Sequence, residues 1–168
     1  MEYTFTLKYQ LVEDDRDLDS LVDRLCEAGC DDALVGIGQP GRLALEFTRE
    51  ADSADAAVRS ALADVRSAVP SARLIEVSPD LVGLTDVAEI VGVSRQNMRK
   101  LMLAHPGSFP APVHEGSPSI WHLADVLTWL QTKGGYPLAM EIVELARVAL
   151  QVNVAKEGRR LSLSASEM

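Results

Sequence analysis

Two short helical patterns hinged on Gly92-Val93-Ser94 fill the stretch from Leu84 to Met102, LTDVAEIVGVSRQNMRKLM, and constrain the fold more than any other part of the chain. Thr85 is the N-cap candidate of the first helix, because its hydroxyl can accept a free backbone N–H. Asp86 puts negative charge near the positive end of the helix dipole. Val87, Ala88, Ile90 and Val91 supply a small apolar face. Gly92 then stands where a helix must stop with a residue tolerant of positive φ, and Val93 can plug the crevice between the two helices. Ser94 caps the second helix. In that helix Met98, Leu101 and Met102 recur at helical spacing and turn inward, which leaves Arg95, Gln96, Asn97, Arg99 and Lys100 outside.

The outward set is cationic and rich in donors. Arg and Lys pair with guanine O6 and N7, and Gln and Asn pair bidentately with adenine, so these residue types suit a helix lying in the major groove of double-stranded DNA. An ordinary helical hairpin with a solvated polar face would carry similar residues. The DNA reading rests on the register of cap, glycine, apolar plug, second cap and cationic face, which all agree.

The next residues extend the pattern. His105-Pro106-Gly107 ends the second helix, and Phe109-Pro110-Ala111-Pro112-Val113 reads as an extended segment that proline keeps out of a helix. Glu115-Gly116-Ser117-Pro118 is a turn, and Ser119 to His122 a returning strand. Leu123, Val126, Leu127 and Leu130, with Trp129 beside them, form another amphipathic helix that stops near Lys133-Gly134-Gly135. Helix, turn, helix, hairpin and helix together describe a winged helix-turn-helix over residues 80 to 133.

Here the chain resembles the small MerR-like and excisionase-like (AlpA-type) winged helix-turn-helix proteins of bacteria and phages. The residues that carry the resemblance are AEIVGVSRQNMRKL, SFPAPV, Trp121 and ADVLTWL, about one third of the chain, in the family's order. The resemblance implies that Ser94, Arg95, Gln96, Asn97, Arg99 and Lys100 face DNA, and that Trp121 is a core residue under the wing. The wing tip from His114 to Ser119 holds no Lys or Arg, where such wings are often basic. Contact between this wing and phosphate is therefore limited to Ser117, Ser119 and His114.

The first 78 residues read as a separate unit. Tyr3, Phe5, Leu7 and Tyr9 alternate along one face of a strand, and Leu18, Leu21, Val22 and Leu25 recur at helical spacing up to Gly29. Ala33 to Ile37 is a short apolar run, and Arg42 to Arg49 alternates again with Leu43, Leu45 and Phe47 inward. Ala54, Ala57, Val58, Ala61, Leu62 and Val65 make a second amphipathic helix ended by Pro70, and residues 73 to 77 a last strand. The order βαββαβ predicts a ferredoxin-like domain, with two helices on one face of a four-stranded antiparallel sheet and the other face free. By analogy, a free face in a regulator serves dimerisation or ligand sensing. Ser78-Pro79-Asp80 is the natural boundary, and the fold class expected for the whole is α+β.

Charge narrows the choice of partner. The first 78 residues hold 16 acidic and 8 basic side chains, so RNA binding by this sheet is disfavoured. Residues 80 to 133 are nearly neutral, with five acidic and four basic side chains, and the whole chain of 168 residues carries −9. Cations confined to one helix of an acidic protein favour a specific, salt-sensitive operator binder over a coating protein. One short helix reads few base pairs, so a homodimer on two half-sites is expected. The competing expectation is a protein-interaction or antitoxin-like adaptor that grips a protein partner with its acidic N-terminal domain. A third is an excisionase-like recombination factor.

After Pro137 the positions Leu138, Ile142, Leu145, Ala149 and Val152 form one stripe, widened by Val143, Val148, Leu150 and Val154. A helix this apolar over residues 136 to 155 must be buried, against its own domains or against a second copy. The polar tail of residues 156 to 168, KEGRRLSLSASEM, is expected to be disordered.

Several apparent chemical motifs dissolve. Gly36-Ile37-Gly38-Gln39-Pro40-Gly41 fits G-x-G-x-x-G, but a dinucleotide site needs a helix to open at the last glycine, and an alternating strand begins there instead. A hairpin turn is the expectation. Cys26 and Cys30 lack the neighbours of a metal site, and the acidic run from Glu13 to Asp19 lacks calcium-loop spacing and its central glycine. The three histidines form no catalytic constellation, so neither enzyme activity nor a cofactor is expected. With a strand pattern at the N-terminus, no long apolar run and two unpaired-looking cysteines, the expected location is cytoplasmic, away from membranes.

Overall fold

The computed structural model describes residues 1–13, 17–36 and 38–162. Strict alternation in β1 (Glu2–Gln10) sends Tyr3, Phe5, Leu7 and Tyr9 to one side, all buried. β1 is central. It pairs antiparallel with β3 (Arg42–Glu50) on one flank and with β4 (Arg73–Ser78) on the other, and β2 (Ala33–Gly36) lies outside β3, giving the order β2-β3-β1-β4. The register sets Phe5 opposite Phe47 and Leu7 opposite Leu45, and the two phenyl rings stack with centroids 5.3 Å apart. Two helices, α1 (Leu18–Glu27) and α2 (Ala54–Ala68), supply Leu21, Leu25, Ala57, Val58, Ala61 and Val65 to the same core. Leu18, expected on the buried stripe, is 44% exposed because it is the first residue of α1, before the helix reaches the sheet.

The other face of the sheet is polar. Glu2, Thr4, Lys8, Arg42, Glu46 and Thr48 are exposed on it, and Lys8 meets Glu76 across it at 3.2 Å. Leu34 of β2, opposite Glu46, is 75% exposed on the same face. The connection across residues 37–41 joins two antiparallel neighbours and β3 opens at Arg42, so no helix starts at Gly41, and Arg42 N donates to Gln39 O at 3.0 Å. Ile37, and the centre of the acidic run at residues 14–16, lie outside the described residues.

Inward alternation in β3 does not stop at Phe47. Arg49 follows in phase and is only 8% exposed, so its charge must be satisfied inside. Its guanidinium donates to Asp32 Oδ2 at 2.8 Å and Oδ1 at 3.0 Å, to Asp64 Oδ2 at 2.9 Å, to Ser60 Oγ at 3.1 Å and to Gly29 O at 2.8 Å. It also lies 5.0 Å over the Phe47 ring. Gly29 sits at φ +108°, and a Cβ there would lie 3.0 Å from Asp64 Oδ2, so position 29 requires glycine on both counts.

The second half opens on β5 (Leu81–Val82), which periodicity did not reveal because two residues carry no pattern. Then follow α3 (Leu84–Val91), α4 (Arg95–Ala104), β6 (Trp121–His122), α5 (Leu123–Lys133) and α6 (Met140–Arg160). The expected returning strand of residues 119–122 is divided between two partners. Ile120 bridges His114, closing a minimal hairpin, whereas Trp121 and His122 pair with Val82 and Leu81. Phe109 to Pro112 joins no ladder, since its prolines remove donors, and it packs instead through Phe109 against Trp121 and Trp129, edge-on at 6.1 and 5.1 Å; only Val113 N pairs across the hairpin, with Ile120 O at 2.7 Å. Trp121 itself is 5% exposed, with its indole N–H on Pro110 O at 2.9 Å.

Helix α6 begins at Met140 and continues to Arg160, so residues 156–160, expected as disordered tail, are its last turns. Lys156 Nζ holds them down by donating to Ile75 O and Glu157 Oε1, both at 2.6 Å. The tail beyond residue 162 lies outside the described residues. The apolar stripe is buried against the helix's own chain: Leu145, Val148, Ala149 and Val152 enter the sheet core, and Val143 and Ala146 enter the core of the second half. One helix thus belongs to both.

A polar junction locks that arrangement. Asn153 on α6 accepts from Val77 N at 2.8 Å and donates to Val77 O at 2.9 Å, so its amide pairs with the outer edge of β4 as a neighbouring strand would. The same amide donates to Asp80 Oδ2 at 2.8 Å, while Asp80 Oδ1 takes a 2.6 Å bond from His122 Nδ1. Asp80 is 2% exposed, and its backbone carbonyl receives the N–H of Leu123, the first residue of α5.

The two cysteines differ sharply. Cys26 is exposed on α1, whereas Cys30 is 1% exposed and burial pushes its thiol up to about 11. Under native conditions a thiol reagent such as iodoacetamide should label one site, Cys26, with Cys30 reacting only after unfolding. Peptide mapping by mass spectrometry checks this, and equal labelling of both would contradict the packing. Among the described residues no cluster of His, Cys, Asp or Glu is arranged to hold a metal, and no helix is long and apolar enough to cross a membrane.

Candidate nucleic-acid interface

The first helix of the pair starts two positions earlier than its sequence implies. Gly83 is the N-cap of α3, and Asp86 reaches back to accept Gly83 N at 3.0 Å. Glycine has no side chain to answer, so only half of a capping box forms and Thr85 lies inside the first turn. The other end follows expectation. Gly92 adopts φ +84°, and the N–H groups of Gly92 and Val93 both reach Ala88 O, at 2.9 and 3.0 Å, which stops the helix and redirects the chain. Ser94 then caps α4, its Oγ accepting Asn97 N at 3.1 Å.

From this start α4 runs ten residues with Met98 fully buried and Leu101 and Met102 half-buried. Ser94, Arg95, Gln96, Asn97, Arg99 and Lys100 are all exposed. The five long side chains among them make no ion pair or side-chain hydrogen bond among the described residues, so their donors are uncommitted. Leu103, 60% exposed, extends the outer face with an apolar side chain that periodicity did not single out.

The helix has two distinct flanks. Arg95 and Arg99 border a crevice of about 450 Å³ whose far wall is the turn Gly116 to Ser119, and whose end is the start of α3, Gly83 to Asp86. Asn97 and Lys100 border another that Tyr136 closes from the α5–α6 connection. The structure therefore brings Ser117 and Ser119 beside Arg95 and Arg99, and keeps Asn97 and Lys100 on the opposite flank. Ser119 is already occupied, accepting Gly116 N at 3.3 Å and donating to Gly116 O at 3.1 Å to close the turn. His114 folds over that turn, since a Cβ on Gly116 would fall 2.6 Å from His114 Nε2. It is exposed but does not line the Arg95–Arg99 crevice.

Sequence reasoning missed the start of α3 and Tyr136 as neighbours of the exposed face of α4. The free N–H groups of a helix's first turn attract anions, and here Asp86 already answers one of them. No spacing rule could have found Tyr136, because it arrives from a segment without regular structure. Below the helix, His105 donates Nδ1–H to Leu101 O at 3.0 Å and stands edge-on to Trp129 at 5.3 Å, fixing the end of α4 on α5. No protein-family profile, curated protein or solved structure matches the chain.

Proposed function

We propose that the protein is a sequence-specific DNA-binding transcriptional regulator of bacterial or phage type, built from a ferredoxin-like domain and a winged helix-turn-helix. The observation that carries this reading is α4: five long polar side chains with uncommitted donors on one exposed face, anchored by a fully buried Met98. Such a helix presents Arg95, Gln96 and Asn97 at its leading end, where a recognition helix meets base edges in the major groove. Arg99 and Lys100, one turn further on, are placed for phosphate. Ser117 is the wing residue best able to reach the backbone, Ser119 being held by its own turn. Regulation is by occupancy of an operator, and a homodimer doubles the bases read.

The test is binding to a fluorescent duplex from the gene's own upstream region against a scrambled duplex, over a range of salt. Preference for the upstream duplex and a steep salt slope are expected. Arg95→Ala and Asn97→Ala should each cost about 1 to 3 kcal/mol of specific binding with the fold unchanged. Unaltered affinity in both folded variants would reject this assignment of residues.

One observation favours a second reading, an adaptor that holds a protein partner. The open sheet face is polar, with Glu2, Glu46 and Glu50 beside Lys8 and Arg42, in a unit with twice as many acidic as basic residues. Stoichiometric co-purification of a protein with no duplex preference would support it. An excisionase-like factor shares the DNA-binding module and would differ in binding recombination sites in place of a promoter.

A further inference from the structure

A second concentration of positive charge lies far from α4, in the half of the molecule that is otherwise most acidic. Arg59 and Arg66 of α2 and Lys156 and Arg159 of α6 line one cleft of about 320 Å³ that is closed on a third side by Leu74 of β4. Among the described residues no carboxylate lines it. Its remaining walls are apolar, chiefly Leu62, Val69 and Val152. Tyr9 of the central strand also lines the cleft although it is only 5% exposed, and its hydroxyl makes no hydrogen bond among the described residues.

The four cations are not equivalent. Arg59 is held by Asp55 at 3.1 Å, and Lys156 by Ile75 O and Glu157. Arg66 and Arg159 have no carboxylate partner among the described residues, in a chain where acidic residues outnumber basic ones by 25 to 16. Two uncommitted guanidiniums, each a planar fork of donors, and the hydroxyl of a largely buried tyrosine that opens onto the cleft form a donor set without its anion. Burial also raises the Tyr9 pKa, which keeps the phenol protonated as a donor at neutral pH.

We propose that this cleft binds a small amphiphilic organic anion, its carboxylate or phosphate head met by Arg66, Arg159 and the Tyr9 hydroxyl and its apolar body lying against Leu62, Val69, Leu74 and Val152. The volume lies within the range of small-molecule sites, and few convergent polar groups on apolar walls are their usual composition. A duplex phosphate is a poorer fit, because Tyr9 is nine-tenths buried and a rigid backbone cannot follow it inward. The cleft is bounded by α6, which also contributes Val143 and Ala146 to the core beneath the helix pair, so an occupant that shifts α6 acts on both halves. That coupling rests on the DNA reading; the binding itself does not.

Titration calorimetry on the full chain without DNA tests the proposal, with 4-butylbenzoate and 4-butylphenyl phosphate as anionic probes. The controls are 4-butylbenzamide, which has the same body without charge, and inorganic phosphate, which has charge without a body. Saturable one-to-one binding of at least one anionic probe is expected, at least tenfold tighter than either control. Arg66→Gln and Arg159→Gln, both on exposed positions, should each weaken it at least tenfold, and Tyr9→Phe several-fold with the melting temperature preserved. The preferred probe tells a carboxylate head from a phosphate head. Equal binding of the amide or of inorganic phosphate, or variants that bind as well as the native chain, would overturn the proposal. So would loss of duplex affinity in Arg66→Gln and Arg159→Gln with no anionic probe bound, which would make the cleft a DNA-backbone contact. Duplex binding measured separately on the native chain keeps a failed DNA reading distinct from a failed anion site.

Discussion

Arg49→Met should lower the free energy of unfolding by about 3 kcal/mol, among the largest losses expected for any single substitution in this chain. The methionine fills the space of the arginine stem but removes the guanidinium that two carboxylates aimed at the same point share. Asp32 and Asp64 would then face each other half-buried, and Gly29 O would lose its donor. Arg49→Lys should recover only part of the loss, because an ammonium cannot span Asp32, Asp64 and Gly29 O with the planar fork those positions match. Acid sensitivity follows from the same cluster. The hydrogen bond from Arg49 holds the Asp32 carboxyl below its ordinary value, so its contribution is complete above the usual carboxylate range and is lost as pH falls through the lowered value. Urea unfolding at neutral and acidic pH checks both points. The native chain should lose stability on acidification and the methionine variant should lose less. A neutral-pH difference below about 1 kcal/mol would mean the cluster behaves as an ordinary surface ion pair.

The second large effect is expected at the junction of the two halves. Asn153→Leu removes three hydrogen bonds at once, two to Val77 at the edge of β4 and one to the buried carboxylate of Asp80. Each is worth about 1 kcal/mol, more for the charged partner, and leucine cannot satisfy the polar groups left behind, so a loss of about 3 kcal/mol is expected. The nature of the unfolding should change as well. Because α6 carries residues of both cores, the native chain should unfold in one transition. With Asn153 gone, the sheet and the helical half should separate into two, visible as non-coincident melting by far-ultraviolet circular dichroism and by tryptophan fluorescence, since Trp121 and Trp129 both lie in the second half. A single coincident transition with little loss of stability would show that apolar packing along α6 alone holds the halves together.

Legibility in the sequence followed the kind of pattern each element carries. β1 and β3 were readable because successive side chains of a strand must alternate between faces. Gly92 and Ser94 were readable because a left-handed residue followed by a cap leaves few other structures open to the chain. Elements that lean on distant partners were not readable. β5 has only Leu81 and Val82, and it is a strand because Trp121 and His122 lie beside it. Residues 156–160 look like a polar tail until Ile75 O is seen to receive Lys156. Residues 94–97, 99 and 100 are exposed as their spacing implies, but their division between two flanks of α4 depends on where the Gly116–Ser119 turn and Tyr136 come to rest.

Arg49 marks the dividing line within a single residue. Its inward direction was determined by sequence alone, as the next step of the alternation through Leu43, Leu45 and Phe47. Its partners Asp32, Asp64 and Gly29 come from three other segments and were decided by how α1 and α2 pack on the sheet. The same holds for Arg66 and Arg159, each on a periodic helix whose meeting in one cleft no spacing records. Periodicity fixes the direction of a side chain, because direction is a property of the local backbone. A hydrogen bond or ion pair needs two groups within about 3 Å, and only the packing of distant segments brings them there.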